Sequence, residues 1–254
     1  MMIDIHTHIL PGIDDGAEDM DEAIRMAKAA VVEGISVVIA TPHHANGKYD
    51  NPGTRVASQV QELNDRLVQE RIPLSILQGQ EIRIYDRLID DLQSNQAIAL
   101  HNSPYLLLEL PSGEVPSNTE DLIHELRVLR KIPIIAHPER NMELAAQPAK
   151  LMRLIELGAL SQLTSHSVNG VFGSKMQKKC VQWCKEGLVH FISSDAHNLT
   201  KRAFGLQGAY TLLSEKVGDS MVNYFQENAH RLVRGEPIPA PPRVGQTKPW
   251  WRIW

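Results

Sequence analysis

Two histidines separated by a single residue stand near the start of the chain, in Ile3-Asp4-Ile5-His6-Thr7-His8, with Asp14 and Asp15 close behind. In an extended strand alternate side chains share a face, so His6 and His8 point the same way and supply half of a metal site. A histidine pair can equally decorate a surface, and its meaning depends on what else the chain carries. Metal-ligand types recur in short polar stretches: Thr41-Pro42-His43-His44, Gln80-Glu81, Glu109, His137-Pro138-Glu139-Arg140, Ser165-His166 and Ser194-Asp195-Ala196-His197. Five imidazoles (His6, His8, His43, His137, His197) and four carboxylates (Asp15, Glu81, Glu109, Asp195) make a donor set without a thiolate. That is too many donors for one ion and enough for two or three, with carboxylates bridging. Nitrogen and oxygen donors of this kind suit manganese, iron or zinc. Such a cluster generates a bridging hydroxide and holds the attacking and leaving oxygens, which is the chemistry of phosphoester hydrolysis. Arg140 follows His137 closely and Arg202 follows His197, and both guanidinium forks suit the clamping of a phosphoryl group.

Each of these residues has a bland reading when taken singly. Glu81 and Glu109 are then solvated carboxylates, His137 a core histidine, Asp195 a helix cap, and either arginine a surface charge. The elements that would position them argue for a joint role. Ile3–Ile5, Ser36–Ala40, Leu74–Leu77, Tyr105–Leu108, Pro133–Ala136, Ala159–Leu163 and His190–Ser193 read as short buried strands. Between them lie apolar stripes at helical spacing: Met20, Ala23, Ile24, Ala27 and Val31; Val56, Val60, Leu63 and Leu67; Leu122, Ile123, Leu126 and Leu129. A short helix around Tyr85–Gln93 precedes an Ala97–Leu100 extension. Parallel strands need crossover helices, so the alternation predicts an α/β protein. Seven strands favour a single-domain, distorted (β/α)7 TIM-like barrel, with a doubly wound sheet as the second choice. In a parallel barrel the active site is built at the C-terminal strand ends, and that is where the Asp, Glu and His residues fall.

Length and composition set the outer bounds. At 254 residues the chain fits one α/β domain or two small ones. A formal net charge of −4 argues against a simple basic surface for nucleic acid. No long apolar run and no basic, then apolar, leader is present, so the sequence predicts neither a membrane span nor a signal peptide, and a cytoplasmic location. Cys180 and Cys184 sit in a helical pattern and read as buried. A cysteine-dependent phosphatase loop needs Arg six residues after the nucleophile, where this chain has Glu186 and His190. After Arg234 the character changes: Pro237, Pro239, Pro241, Pro242 and Pro249 predict an extended tail, ending in Trp250, Trp251 and Trp254. The expected division is a catalytic domain at 1–235 and a Pro/Trp-rich tail at 236–254.

In combination, Asp4-Ile5-His6-Thr7-His8, Thr41-Pro42-His43, Glu81, Glu109, His137-Pro138-Glu139-Arg140 and Ser194-Asp195-Ala196-His197 resemble the polymerase-and-histidinol-phosphatase (PHP) superfamily. Within it, Ile9-Leu10-Pro11-Gly12-Ile13-Asp14-Asp15-Gly16 and the HPER run resemble bacterial manganese-dependent tyrosine-protein phosphatases of capsular and exopolysaccharide synthesis. The resemblance spans about residues 1–235. It implies three ions: His6, His8, Glu81 and Asp195 for the first; Glu81, bridging, with Glu109 and His137 for the second; Asp15, His43 and His197 for the third. It also implies a metal-bound hydroxide attacking phosphorus, Arg140 and Arg202 on the nonbridging oxygens, and a phosphotyrosine protein as substrate, a bacterial tyrosine kinase above all. A small-molecule PHP phosphatase, for histidinol phosphate or a nucleotide, is the alternative, and a non-catalytic metal-bound partner is a third reading. Asp14 competes with Asp15 as the ligand. The roles of His44 and His166 and the oligomeric state, a homo-oligomer included, stay open.

Overall fold

The computed structural model describes residues 2–242. The chain runs β1 (Met2–Thr7), α1 (Met20–Val32), β2 (Ile35–Ala40), β3 (His43–His44), α2 (Gly53–Gln69), β4 (Ser75–Gln78), β5 (Glu81–Arg83), α3 (Leu88–Gln93) and β6 (Tyr105–Glu109). It continues with α4 (Thr119–Val128), β7 (Ile132–Ala136), a 3-10 turn at Pro138–Arg140, α5 (Met142–Ala146), α6 (Pro148–Glu156) and β8 (Leu160–Thr164). The last elements are α7 (Ser165–Val168), α8 (Ser174–Glu186), β9 (Phe191–Ser193), α9 (Leu206–Val217) and α10 (Asp219–Val233).

Every strand pairing is parallel, in two sheets of order β1-β2-β4 and β3-β5-β6-β7-β8-β9. β2 and β3 continue one course interrupted at Thr41-Pro42, because proline has no N–H to give a ladder. β4 and β5 likewise continue one course interrupted at Gly79-Gln80. Counting each broken course once, seven courses follow in sequence order, without the reversal that a doubly wound sheet requires. The sheets do not join into one closed ladder. β9 and β1 meet through an isolated Thr7–Ala196 bridge, with Asp195 N donating to His6 O and His8 N to Ala196 O, both at 2.8 Å.

The core has three parts, one of them formed by Ile82, Leu88, Leu106, Leu108, Leu122 and Leu126 of β5, α3, β6 and α4. Ile3, Ile5, Leu107, Ile134 and Phe191 pack together on one side of the strands, closed by Ala229 and Leu232 of α10. Val38, Ile76, Ile135, Leu163 and Ile192 pack with the helical stripes. α1 starts at Asp19, whose side chain accepts from Glu22 N at 2.8 Å, and buries Ala23, Ile24, Ala27 and Ala30. α2 buries Val56, Val60, Leu63 and Leu67, the stripe read from the sequence. Leu63 is fully enclosed, so Leu63→Ala costs about 2–5 kcal/mol. Cys180 and Cys184 are buried and free, on α8 beside Trp183.

Two segments depart from expectation. Ala97–Leu100 is not an element; its amides go to Asp91 O, the Gln80 side chain and Tyr105 O instead of a ladder. α9 and α10, which the sequence reading did not single out, cover β9 and β1. Among the described residues no helix is long and apolar enough to cross a membrane. The chain after α10 returns along the body: Tyr105 Oη donates to Glu236 O at 2.6 Å and Tyr224 Oη to Pro239 O at 2.9 Å. Pro249, Trp250, Trp251 and Trp254 lie outside the described residues.

Candidate metal centre

β1 delivers His6 and His8 to the end of the sheet, where its register on β2 shifts between Asp4 and Thr7. Their Nε2 atoms stand 3.3 Å apart. Each lies 3.3–3.4 Å from Glu81 Oε2, on β5, and 3.3 Å from Asp195 Oδ1, just after β9. These edges match donors placed about 2.0–2.2 Å from one shared ion. The protons are committed elsewhere. His8 Nδ1 donates to Asp14 Oδ2 at 2.7 Å and His6 Nδ1 to Gln162 Oε1 at 2.9 Å, since Gln162 Nε2 is engaged with Leu163 O. His197 Nδ1 donates to Asp195 O at 2.9 Å. Three rings thus turn Nε2 toward the cluster, each oriented by an acceptor behind it, as metal-ligating histidines are.

The orphaned atoms point to the same place. Glu81 Oε2, Asp195 Oδ1, His197 Nε2 and His43 Nδ1 are buried without a hydrogen-bonding partner, although several approach one another closely. Buried polar atoms seldom stay unpaired, and each of these four belongs to a group of donors that a cation would satisfy. Electrostatics agree. Burial pushes the Glu81 and Asp195 carboxyls up, but His6 and the neighbouring charges outweigh it and hold both well below the carboxylate range. Burial lowers His8, yet Asp14 beside it holds the imidazole well above its usual value. The cluster is a region of strong affinity for positive charge.

A second group surrounds Asp15, whose Oδ1 is 3.4 Å from both His43 Nε2 and His197 Nε2, with His8 completing the set. Asp15 therefore faces the imidazoles, while Asp14 orients His8 and accepts from His43 N at 3.1 Å and Gly16 N at 2.9 Å. In a third group His43 Nδ1 lies 3.0 Å from Glu81 Oε2 and 3.8 Å from Glu109 Oε2. His137 sits instead against the other Glu81 oxygen, its Nε2 2.7 Å from Oε1. Of the sets implied by resemblance, the first and third stand together; in the second, His43 takes the place beside Glu81 and Glu109, with His137 one oxygen away.

Arg140 Nη1 and Arg202 Nη2 both donate to Asp195 Oδ2, at 2.6 and 2.8 Å. This leaves Oδ1 for the centre and most guanidinium N–H groups of each arginine uncommitted to Asp195. A recess of about 70 Å3 beside Arg140 is lined by Glu109, Ser112, His137, Arg140 and Asn141. His137 and Asp195 hold left-handed backbone, at φ 31° and 55°, the kind of local strain that concentrates at functional positions. Gly16 is required for a different reason: a Cβ there would lie 1.9 Å from His8 O.

Three contributors escaped the sequence reading. Asp14 was legible only as a rival to Asp15. Gln162 is a polar residue inside an apolar strand, a signal that its amide serves something buried. Arg83 Nε and Nη2 grip Glu109 Oε2 at 3.0 and 2.9 Å. His44 and His166 belong to none of the three groups: His44 faces Asp50 and Tyr85, and His166 lies near Phe172.

A family model described as capsular polysaccharide synthesis, CpsB/CapC, matches residues 2–234. The tyrosine-protein phosphatase YwqE of Bacillus subtilis (strain 168) is 45% identical over 237 residues, 93% of this chain and 93% of that protein. The putative tyrosine-protein phosphatase CapC of Staphylococcus aureus is 37% identical over 248 residues, 98% of this chain and 95% of that protein. A crystal structure from work on Bacillus subtilis YwqE and Streptococcus pneumoniae CpsB, described as unique metal-dependent tyrosine phosphatases, superposes with a TM-score of 0.92 at 44% identity, covering 96% of this chain and 100% of that one.

Proposed function

We infer that this chain, a member of the CpsB/CapC capsular polysaccharide synthesis family, is a metal-dependent tyrosine-protein phosphatase. The observation that carries the reading is the convergence of the His6 and His8 Nε2 atoms on the orphaned oxygens of Glu81 and Asp195. His6, His8, Asp15, His43, Glu81, Glu109, His137, Asp195 and His197 would hold two or three divalent ions, with manganese first and iron or zinc as substitutes. Such ions supply Lewis acidity and an activated water for in-line displacement at phosphorus.

The chain's own residues do the rest. Arg140, which lines the recess, and Arg202, which shares Asp195 Oδ2 with it, would bind the nonbridging phosphoryl oxygens and stabilise charge that grows in the transition state. Asp14, Gln162 and the Asp195 carbonyl fix three ring orientations, so the donors do not have to reorganise during turnover. Cys180 and Cys184 take no part: they are fully buried, and burial pushes both thiols far above the usual range.

We read the frame as a distorted (β/α)7 barrel of PHP type, in which β1 and β9 approach without a continuous ladder. The substrate we propose is a phosphotyrosine protein, a bacterial tyrosine kinase of polymer export, met in the cytoplasm. Manganese-loaded protein offered phosphotyrosine peptide, phosphoserine peptide, histidinol phosphate and a nucleotide side by side tests this. Preference for the phosphotyrosine peptide is expected; preference for histidinol phosphate or the nucleotide would assign a small-molecule phosphatase.

A further inference from the structure

The recess beside Arg140, at about 70 Å3, is far smaller than the roughly 300–1,000 Å3 of a pocket that encloses a small molecule. It has room for a phosphoryl group and little of what bears it, so the rest of a substrate lies on the rim. Next to Arg140 stands Phe172, 47% exposed, and its chain neighbour Val171 is 60% exposed. The Phe172 ring faces the Arg140 guanidinium, whose central carbon is 5.9 Å from the ring centroid. The pair sits in a tight turn between α7 and α8. Gly170 and Gly173 both hold positive φ, Gly173 N donates to Gly170 O at 2.9 Å, and Val171 N donates to His166 O at 3.0 Å. Asn169 Nδ2 anchors the turn to Gly205 O at 2.8 Å. An apolar pair held outward by a braced turn has an unmet partner, and the adjoining guanidinium specifies a ligand that is anionic at one end and aromatic at the other.

We propose that Val171 and Phe172 form the platform on which the phenyl ring of the substrate phosphotyrosine lies while its phosphoryl group enters the recess at Arg140. Phe172 is then a specificity-determining residue: it separates aryl from alkyl phosphates by contact with the ring, in an offset or edge-on arrangement of the kind aromatic pairs prefer. The proposal rests on the phosphatase reading and adds how that site tells tyrosine from serine.

Calorimetric titration of the manganese-loaded full chain with phenylphosphonate and, separately, with inorganic phosphate tests the platform without turnover. Phe172→Ala should weaken phenylphosphonate about five- to tenfold and leave inorganic phosphate within about twofold, while Phe172→Tyr retains the wild-type preference. Equal weakening of both anions would show that Phe172 only supports Arg140, and unchanged phenylphosphonate binding would show that the ring lies elsewhere; either overturns the proposal. Circular dichroism of the variant guards against a folding loss. Failure of the parent reading is separately visible, as wild-type protein that binds phenylphosphonate but does not hydrolyse a phosphotyrosine peptide.

Discussion

His6 Nε2 and His8 Nε2 stand 3.3 Å apart, and each ring's Nδ1 has an acceptor on the far side. A cation shared between the two Nε2 atoms would hold both rings at once. Chelation should therefore abolish aryl phosphatase activity, and restoring manganese should recover it and raise the unfolding temperature of stripped protein. Elemental analysis with differential scanning calorimetry checks this. Full activity in metal-free protein would defeat the mechanism. The Cys180→Ala/Cys184→Ala variant should keep its activity, at some cost in stability from the buried volume removed.

Asp14 does not face the ions in this scheme and should still matter to them. Asp14→Ala frees the His8 ring and leaves Nδ1 without its acceptor, so metal affinity should drop about 10–100-fold with the fold retained. Equilibrium dialysis against manganese measures it. Affinity equal to wild type would mean that packing alone orients His8.

Arg140 and Arg202 share one carboxylate oxygen, and this divides single from double variants. Arg140→Ala alone leaves Asp195 Oδ2 paired with Arg202, so metal content should hold while turnover falls by about 10²–10³-fold. The double variant strips Oδ2 of both partners and should lose metal as well. Metal loss in the single variants would make each arginine a support for Asp195 in its own right.

His190 supplies a pH dependence remote from the ions. Its Nδ1 accepts from Ser161 N at 3.2 Å, and burial pushes the ring down to about 4 from an ordinary 6.5. The unfolded chain therefore binds more protons between those values, so stability rises with pH across the window and is lost as pH falls from about 6.5 through 4. The full effect is roughly 3 kcal/mol, at about 1.4 kcal/mol per unit. Urea midpoints at several pH values should show a steeper acid decline in wild type than in His190→Gln; parallel curves would contradict the assignment.

Much of this was written in the chain. Alternating apolar runs and stripes give the parallel α/β frame, because burial on both faces leaves little freedom in residue type. What the alternation could not register were the interruptions. Pro42 and Gly79 split two courses, so Glu81 lies on a short strand of its own, paired with His43 and Leu107, instead of just beyond one. The donors were readable from type and position, but their orientation was not. Whether Asp14 or Asp15 faces the imidazoles depends on how the loop closes against Gly16, and Arg83 reaches Glu109 from a neighbouring strand, a contact between residues that sequence keeps 26 positions apart. The Ala97–Leu100 run misled because apolar character there serves packing beside irregular backbone.

The return of the chain after α10 has a geometric corollary. Tyr105 begins β6, and it is Tyr105 that fastens Glu236, so the segment leading toward the C-terminus runs at the end of the sheet away from His6, His8 and Asp195. A docking contact made through the Glu236–Pro239 segment would leave the recess unobstructed. The enzyme can in that way be held by one pole while a bulky phosphoprotein is presented to the other.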